Sequence, residues 1–276
     1  MVTPVFIDSV DELCSEYDLF LFDQYGVLHN GQDSYSGMVD CLSRIKDAGK
    51  QIAVISNSGK RANYNAQRLA EFGFTSELID EVVSSGEVAY SILYKSLPKK
   101  DRHTRVLYLG RGSDRSAIVG LPAVETIDSQ DADLIIITGS EPDKYSLEHY
   151  AKYLEAAAHK GIQALCTNPD KWSLVGFDLE YGPGQIADLY ASMGGQVSWI
   201  GKPYSQIYDY ALDLFDVPPD RVVGIGDSIE HDVGGAKAAG VASVLTATGI
   251  LVDLDIAALD SLYQQHGAVP NYLVRR

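Results

Sequence analysis

Several residues able to do chemistry stand where short apolar runs end. Residues 19–22 (LFLF) stop at Asp23, residues 52–55 run into Ser56-Asn57-Ser58, and residues 222–225 lead into GDSIEHD, with Asp227 and Asp232. Gly201-Lys202-Pro203 follows another such run, at 197–200. Carboxylates brought together repel, and some would take up protons unless a cation neutralised them. A hard divalent ion such as Mg²⁺, held by one or two carboxylates with water and a substrate phosphate, meets that need. Lys202 is a compact charge able to pair with a nucleophilic carboxylate and with phosphate oxygens. Ser56 offers a hydroxyl, and the backbone N–H groups after it can form an anion-binding nest. Such parts suit phosphoryl transfer by in-line displacement. Asp23 is the candidate nucleophile, since a carboxylate can carry a covalent intermediate.

The elements that must position these residues alternate along the chain. Strands are expected at 19–22, 52–55, 106–109, 134–137, 162–166, 197–200, 222–225 and 241–245. Helical spacing lies between them, at Ile186, Leu189, Tyr190 and Met193, at Ile207, Ala211 and Leu214, and over 145–159 before Gly161. This rhythm predicts an α/β fold with a doubly wound parallel Rossmann-like sheet. Ligands in such sheets sit at the carboxyl ends of strands. The chemical residues split into an early and a late group, separated by roughly 140 residues with their own βα units, too many for a loop. The chain is therefore expected to form a catalytic core from residues 1–101 and 196–276, with an α/β cap inserted at 102–195.

Composition narrows the partners. The chain has 276 residues and a formal net charge of -16, which argues against non-specific binding to nucleic acid or anionic membranes. Its three cysteines, Cys14, Cys41 and Cys166, show neither zinc-type spacing nor a disulfide framework. The first residues carry acids and no basic region, unlike a secretory signal, and the longest apolar runs are far below a membrane span. A cytoplasmic location is the expectation.

The set FDQYGVL, VISNS, GKP and VGIGDSIEHDVGGAKAAG, in this order over the whole chain, resembles the haloacid dehalogenase superfamily. The length of the insertion, with CTNPDKWSLVG and GPG, resembles class IIA, which has a large α/β cap and includes sugar-phosphate and p-nitrophenyl-phosphate phosphatases. The resemblance implies an Mg²⁺-dependent phosphatase acting on a small phosphorylated metabolite such as a sugar phosphate, the cap selecting the leaving group. Asp23 then matches the nucleophile and a metal ligand, and Tyr25 the position whose backbone carbonyl binds the metal. Ser56 and Asn57 match phosphate binders, with Ser58 beside them. Lys202 matches the charge-stabilising lysine and Asp227 a metal ligand. Asp232 matches the second acid of the last motif, near the metal or as the lysine's partner. Caps of this class often form dimer contacts in relatives, so the cap is where a homodimer would form.

Tyr25 departs from the pattern. A backbone carbonyl is indifferent to its side chain, but the acidic proton donor usual at this position is gone. A phenol is a poor base for activating water, and a positioned general acid–base is worth roughly 10²–10⁴-fold in rate. Alkyl phosphates, with poor leaving groups, are expected to suffer most. Tyrosine two residues after the nucleophile also resembles true haloacid dehalogenases, which attack carbon without a metal. The pair Asp227 and Asp232 favours phosphoryl chemistry over that alternative. A further alternative is a phosphate-binding regulatory protein with little turnover.

Other residues have two readings each. His29 lies near enough to the nucleophile loop to stand in for the missing acid, though the preferred reading is an exposed loop histidine. Asn168, Asp170 and Trp172 either face substrate or form a turn and pack. Arg111 and Arg115 either steer an anion or are solvated charges, the latter preferred. Cys166 reads as a small buried hydrophobe.

Overall fold

The computed structural model describes residues 3–98, 103–175, 178–246 and 256–274. Four strands come first: β1 (Val5–Ile7), β2 (Leu19–Phe22), β3 (Gln51–Ser56) and β4 (Glu81–Ser84). Next are β5 (Thr104–Leu109), β6 (Ala123–Thr126), β7 (Leu134–Ile137), β8 (Gln163–Cys166), β9 (Trp172–Val175), β10 (Asp178–Tyr181) and β11 (Gln196–Trp199). β12 (Val222–Gly226), β13 (Ala242–Thr246) and β14 (Tyr272–Val274) follow. The helices are α1 (Met38–Asp47), α2 (Ala62–Glu71), α3 (Ser85–Ser96), α4 (Leu147–His159), α5 (Pro183–Ser192), α6 (Ser205–Phe215), α7 (Gly234–Ala238) and α8 (Ile256–His266).

The chain divides into two compact units. The first comprises residues 1–56, 62–83 and 202–276, and the second residues 57–61 and 84–201. A seven-stranded sheet in the order β1-β14-β13-β12-β2-β3-β4 organises the first unit. The neighbours of β2 pair with it in parallel, Phe22 lying opposite both Ile225 and Val54. All four residues of β2 are fully buried, as a central strand covered on both faces requires. Burying each such side chain stabilises the fold by about 1.5–3 kcal/mol. That burial fixes the height at which the chain emerges at Asp23, whose N–H donates to the Ile225 carbonyl at 2.8 Å. Among the described residues no helix is long and apolar enough to cross a membrane.

The second unit has its own five-stranded sheet, β11-β8-β7-β5-β6, and the antiparallel pair β9–β10. Its core joins Ile135, Ile137 and Cys166 to Leu154 of α4 and to Ile186 and Tyr190 of α5. Cys166 is buried, as the sequence suggests.

The junctions differ from the expected ones. The expected core segment 196–276 includes β11, but β11 pairs in parallel with β8, Gln196 opposite Gln163, and so belongs to the inserted unit. The chain passes back to the first unit at Lys202. Residues 57–61 and α3 also group with the second unit, not with residues 1–101. Their mutual packing explains this: the Gly86 N–H donates to the Ser58 carbonyl at 3.0 Å, and Arg61 pairs with Glu87 while lying 3.4 Å from the Tyr90 ring centroid. The expected boundary between 101 and 102 lies outside the described residues.

Candidate active site

Of three neighbouring strands of the first unit, β12 and β2 are followed directly by Asp227 and Asp23, and β3 ends in Ser56. Lys202 opens the last segment of this unit. Its Nζ lies 2.7 Å from Asp23 Oδ1 and 2.6 Å from Asp232 Oδ1, with only 3% of the side chain exposed. Oxygens of Asp23, Asp227 and Asp232 lie within 4.8 Å of one another. The structure thus brings four of the residues picked out from the sequence into one cluster.

Each acid is held by its surroundings. Ser228 starts a wide helical turn over Ile229–Val233, its Oγ accepting the His231 N–H at 3.1 Å. That turn returns Asp232 to the strand end, where its Oδ2 accepts the Ser228 N–H at 3.0 Å. Asp232 therefore gives one oxygen to Lys202 and the other to the backbone. Its carboxyl group rests against Gly226, where a Cβ would overlap it. Asp227 is seated likewise on Gly26, which has φ +90°. Below the pair, Tyr208 of α6 is buried and donates its hydroxyl to the Asp232 carbonyl at 3.3 Å.

The electrostatics are those of excess negative charge in a dry place. Burial raises the Asp23 pKa; Asp232 and Asp227 raise it further, and Lys202 only partly opposes them. Burial works against the Lys202 ammonium, but Asp23 and Asp232 outweigh it and hold its pKa above the ordinary lysine value. Three carboxylates against one lysine leave the cluster short of positive charge. Its all-oxygen donor set suits a hard cation such as Mg²⁺ or Ca²⁺ and not a thiolate- or imidazole-seeking metal. The residues present fit a divalent ion on both counts.

The remaining candidates fall in different places. Ser56 is buried at the end of β3. Asn57 and Ser58 belong to the second unit, where Asn57 Nδ2 donates to Asp170 Oδ1 at 2.8 Å and Ser58 Oγ accepts the Lys60 N–H at 3.3 Å. Asn168 Oδ1 accepts the Asp170 N–H at 3.0 Å, a local turn, while Trp172 is exposed, not packed. Tyr25 is 51% exposed, its ring edge-on to His29 with centroids 5.9 Å apart.

His29 is not the exposed loop residue expected. It is buried, stacked on Phe72 at 4.4 Å, and its Nδ1 accepts the Gly31 N–H at 3.0 Å. Burial lowers its pKa to about 4, with Arg68 adding to the effect. It is a neutral packing residue of the loop at neutral pH. The roles of Gly26, Gly226, Ser228 and Tyr208 are not legible in the sequence. The two glycines flank the motif aspartates in sequence, but only the close approach of the carboxylates reveals why neither bears a side chain.

Comparison with known proteins agrees with this fold. A family model described as haloacid dehalogenase-like hydrolase matches residues 20–121, and a related one, HAD-hydrolase-like, matches residues 199–273. The chain is 31% identical over 265 residues to chronophin of Rattus norvegicus, covering 92% of this chain and 84% of that protein. A p-nitrophenyl phosphatase from Archaeoglobus fulgidus is similar in structure, with a TM-score of 0.76 and 26% identity over 94% of this chain and 96% of that one. A haloacid dehalogenase-like hydrolase from Brucella suis 1330 shares the fold over 98% of both chains, with a TM-score of 0.82 at 24% identity.

Proposed function

The chain belongs to the haloacid dehalogenase-like hydrolases, and on that premise we propose that it is an Mg²⁺-dependent phosphatase of a small phosphorylated metabolite. The observation that carries this reading is the Lys202 ammonium shared between Asp23 and Asp232, beside Asp227. The trio of carboxylates, suited to a divalent ion, favours phosphoryl transfer over metal-independent attack on carbon. Relatives named as phosphatases, such as the p-nitrophenyl phosphatase above, support the same choice.

In this reading Asp23 is the nucleophile. An oxygen of its carboxylate attacks phosphorus, the bond from phosphorus to the leaving-group oxygen breaks, and that oxygen departs with the electron pair. The resulting aspartyl-phosphate is then hydrolysed by water, returning the carboxylate and releasing inorganic phosphate. Lys202 orients the Asp23 carboxylate and opposes its protonation, and offsets charge gathering on the phosphoryl oxygens. Ser56 supplies a hydroxyl for the phosphate. Asn57 and Ser58, next in the chain, are its proposed companions, and choice of leaving group falls to the inserted unit.

Asp23, Asp227 and the Tyr25 carbonyl would hold the metal, with Asp232 serving chiefly to fix Lys202, since both of its oxygens have partners. When bound, the ion neutralises the carboxylates and polarises the phosphoryl group. Tyr25 supplies no carboxylate for proton transfer, and His29 is engaged in packing, so leaving groups that depart without a proton are favoured.

The reading is tested by p-nitrophenyl phosphate hydrolysis with added Mg²⁺. Asp23→Asn and EDTA should each abolish it. Activity surviving the substitution would overturn the nucleophile, and activity surviving the chelator would overturn the metal.

A further inference from the structure

The second unit contains a polar cleft of about 200 Å³. Arg111, just after β5, lines it together with Lys60, Ser58 and Asn168. The Arg111 guanidinium is exposed and, among the described residues, makes no hydrogen bond or ion pair. The other arginine of the same loop, Arg115, is engaged on every side. It forms a double ion pair with Glu125 at 2.8 and 2.9 Å, donates to the Gly112 and Asp114 carbonyls, and lies 4.8 Å from the Tyr108 ring centroid. The sequence makes the two look alike, but only Arg111 has its donors available.

The charge at the cleft runs against that of the chain. Lys60 and Arg111 face one lining carboxylate, Asp114, whose Oδ1 already accepts the Ser116 N–H at 2.9 Å. Glu141 is within electrostatic reach of Arg111. Its Oε1 is already engaged by Lys144 at 2.6 Å and by the Gly112 N–H at 3.1 Å. The cleft is thus locally positive in a chain of net charge -16. The first residue of α5, Pro183, also lines it, adding the positive end of a ten-residue helix.

Glycine lets the walls of the cleft approach each other closely. A Cβ on Gly59 would lie 2.5 Å from the Thr138 carbonyl oxygen, and one on Gly139 would lie 3.0 Å from the Arg111 nitrogen. The wall there is main chain, which brings Arg111 close without filling the opening. The volume falls below the range of roughly 300–1,000 Å³ typical of drug-sized ligands. An arginine fork matches carboxylate and phosphate oxygens in pairs.

We infer that this cleft binds a small organic anion bearing a carboxylate or phosphate group, with Arg111 as the donor that recognises the charge. The inference rests on the second unit alone and stands whether or not the hydrolytic reading does. Calorimetric titration of the full chain with malonate and with methylphosphonate, in buffer containing EDTA, tests it. Saturable binding of at least one anion is expected, at least tenfold weaker in Arg111→Gln and partly restored in Arg111→Lys. Lys152→Gln, the same change of charge on exposed α4, should leave binding as it is. No saturable binding of either anion, or equal binding by Arg111→Gln, would overturn the inference. With binding established, competitive inhibition of p-nitrophenyl phosphate hydrolysis assigns the cleft to a group of the substrate. Binding without inhibition assigns it to a separate ligand.

Discussion

Gly26 and Asp227 meet so closely that a Cβ on Gly26 would lie 2.7 Å from the Asp227 Cγ. The glycine also has φ +90°, a region that L side chains rarely adopt. Two residues some two hundred positions apart in the chain thus exclude any other residue type at this point of the nucleophile loop.

Gly26→Ala should therefore both strain the loop and displace the Asp227 carboxylate. A loss of stability on the order of 1–3 kcal/mol is expected in thermal or denaturant unfolding. The Mg²⁺ concentration for half-maximal hydrolysis should rise at the same time. Unaltered stability with an unaltered Mg²⁺ requirement would show that Asp227 does not depend on this contact.

Lys202→Met removes the cation bonded to both Asp23 and Asp232 and leaves the two acids without it. Breaking a buried pair in this way costs about 3–5 kcal/mol. Hydrolysis of p-nitrophenyl phosphate should fall by roughly 10²-fold or more, the scale of losing one preorganised charge-stabilising donor. Addition of excess Mg²⁺ should not restore it, which distinguishes the loss of the lysine from weakened metal binding.

Tyr25 is half exposed, so a smaller polar residue can replace it without opening the core. Tyr25→Asp should raise hydrolysis of an alkyl phosphate such as glycerol phosphate, by up to roughly 10²–10⁴-fold, and change p-nitrophenyl phosphate hydrolysis far less. Nitrophenolate leaves without a proton, whereas an alkoxide does not. A fall on both substrates would instead give the tyrosine a positive role in turnover.

Stability should respond to acid through Asp11. Hydrogen bonds from Arg44, at 2.9 and 3.0 Å, are the main cause that lowers its pKa to about 2. A carboxyl group held below its unfolded value contributes stability that is fully present above about pH 4 and lost as pH falls toward 2. Arg44 is half exposed, so solvent screening keeps the contribution small. Arg44→Gln should be less stable than the parent chain at pH 6, and the difference should vanish near pH 2. A difference that persists at pH 2 would place the effect of Arg44 in packing instead.

The strands that carry the chemistry were legible because they are buried on both faces. β2, β3 and β12 appear as unbroken apolar runs, and each run ends at a polar residue whose type has a chemical meaning. β1, β4 and β14 were not legible: they are three or four residues long and lie at or near the sheet edges, where burial leaves little pattern. β11 shows another limit. Its residues identify a strand, but nothing in them says which of two parallel sheets it joins, since that is fixed by its register against β8. The difference between Arg111 and Arg115 depends on Glu125, which lies ten positions beyond Arg115 on β6 and is brought alongside by the pairing of β6 with β5. The burial of His29 is hidden from the sequence for a similar reason, its ring being covered by Phe72, the residue that follows α2.

In the proposed reaction Asp23 becomes covalently phosphorylated during turnover. Acid quenching of the enzyme during p-nitrophenyl phosphate hydrolysis, followed by mass spectrometry of its peptides, tests this most directly. A phosphoryl group on the peptide containing Asp23, absent from Asp23→Asn, is the predicted result. Sustained turnover by Asp23→Asn, or a phosphoryl group trapped on a different residue, would contradict it.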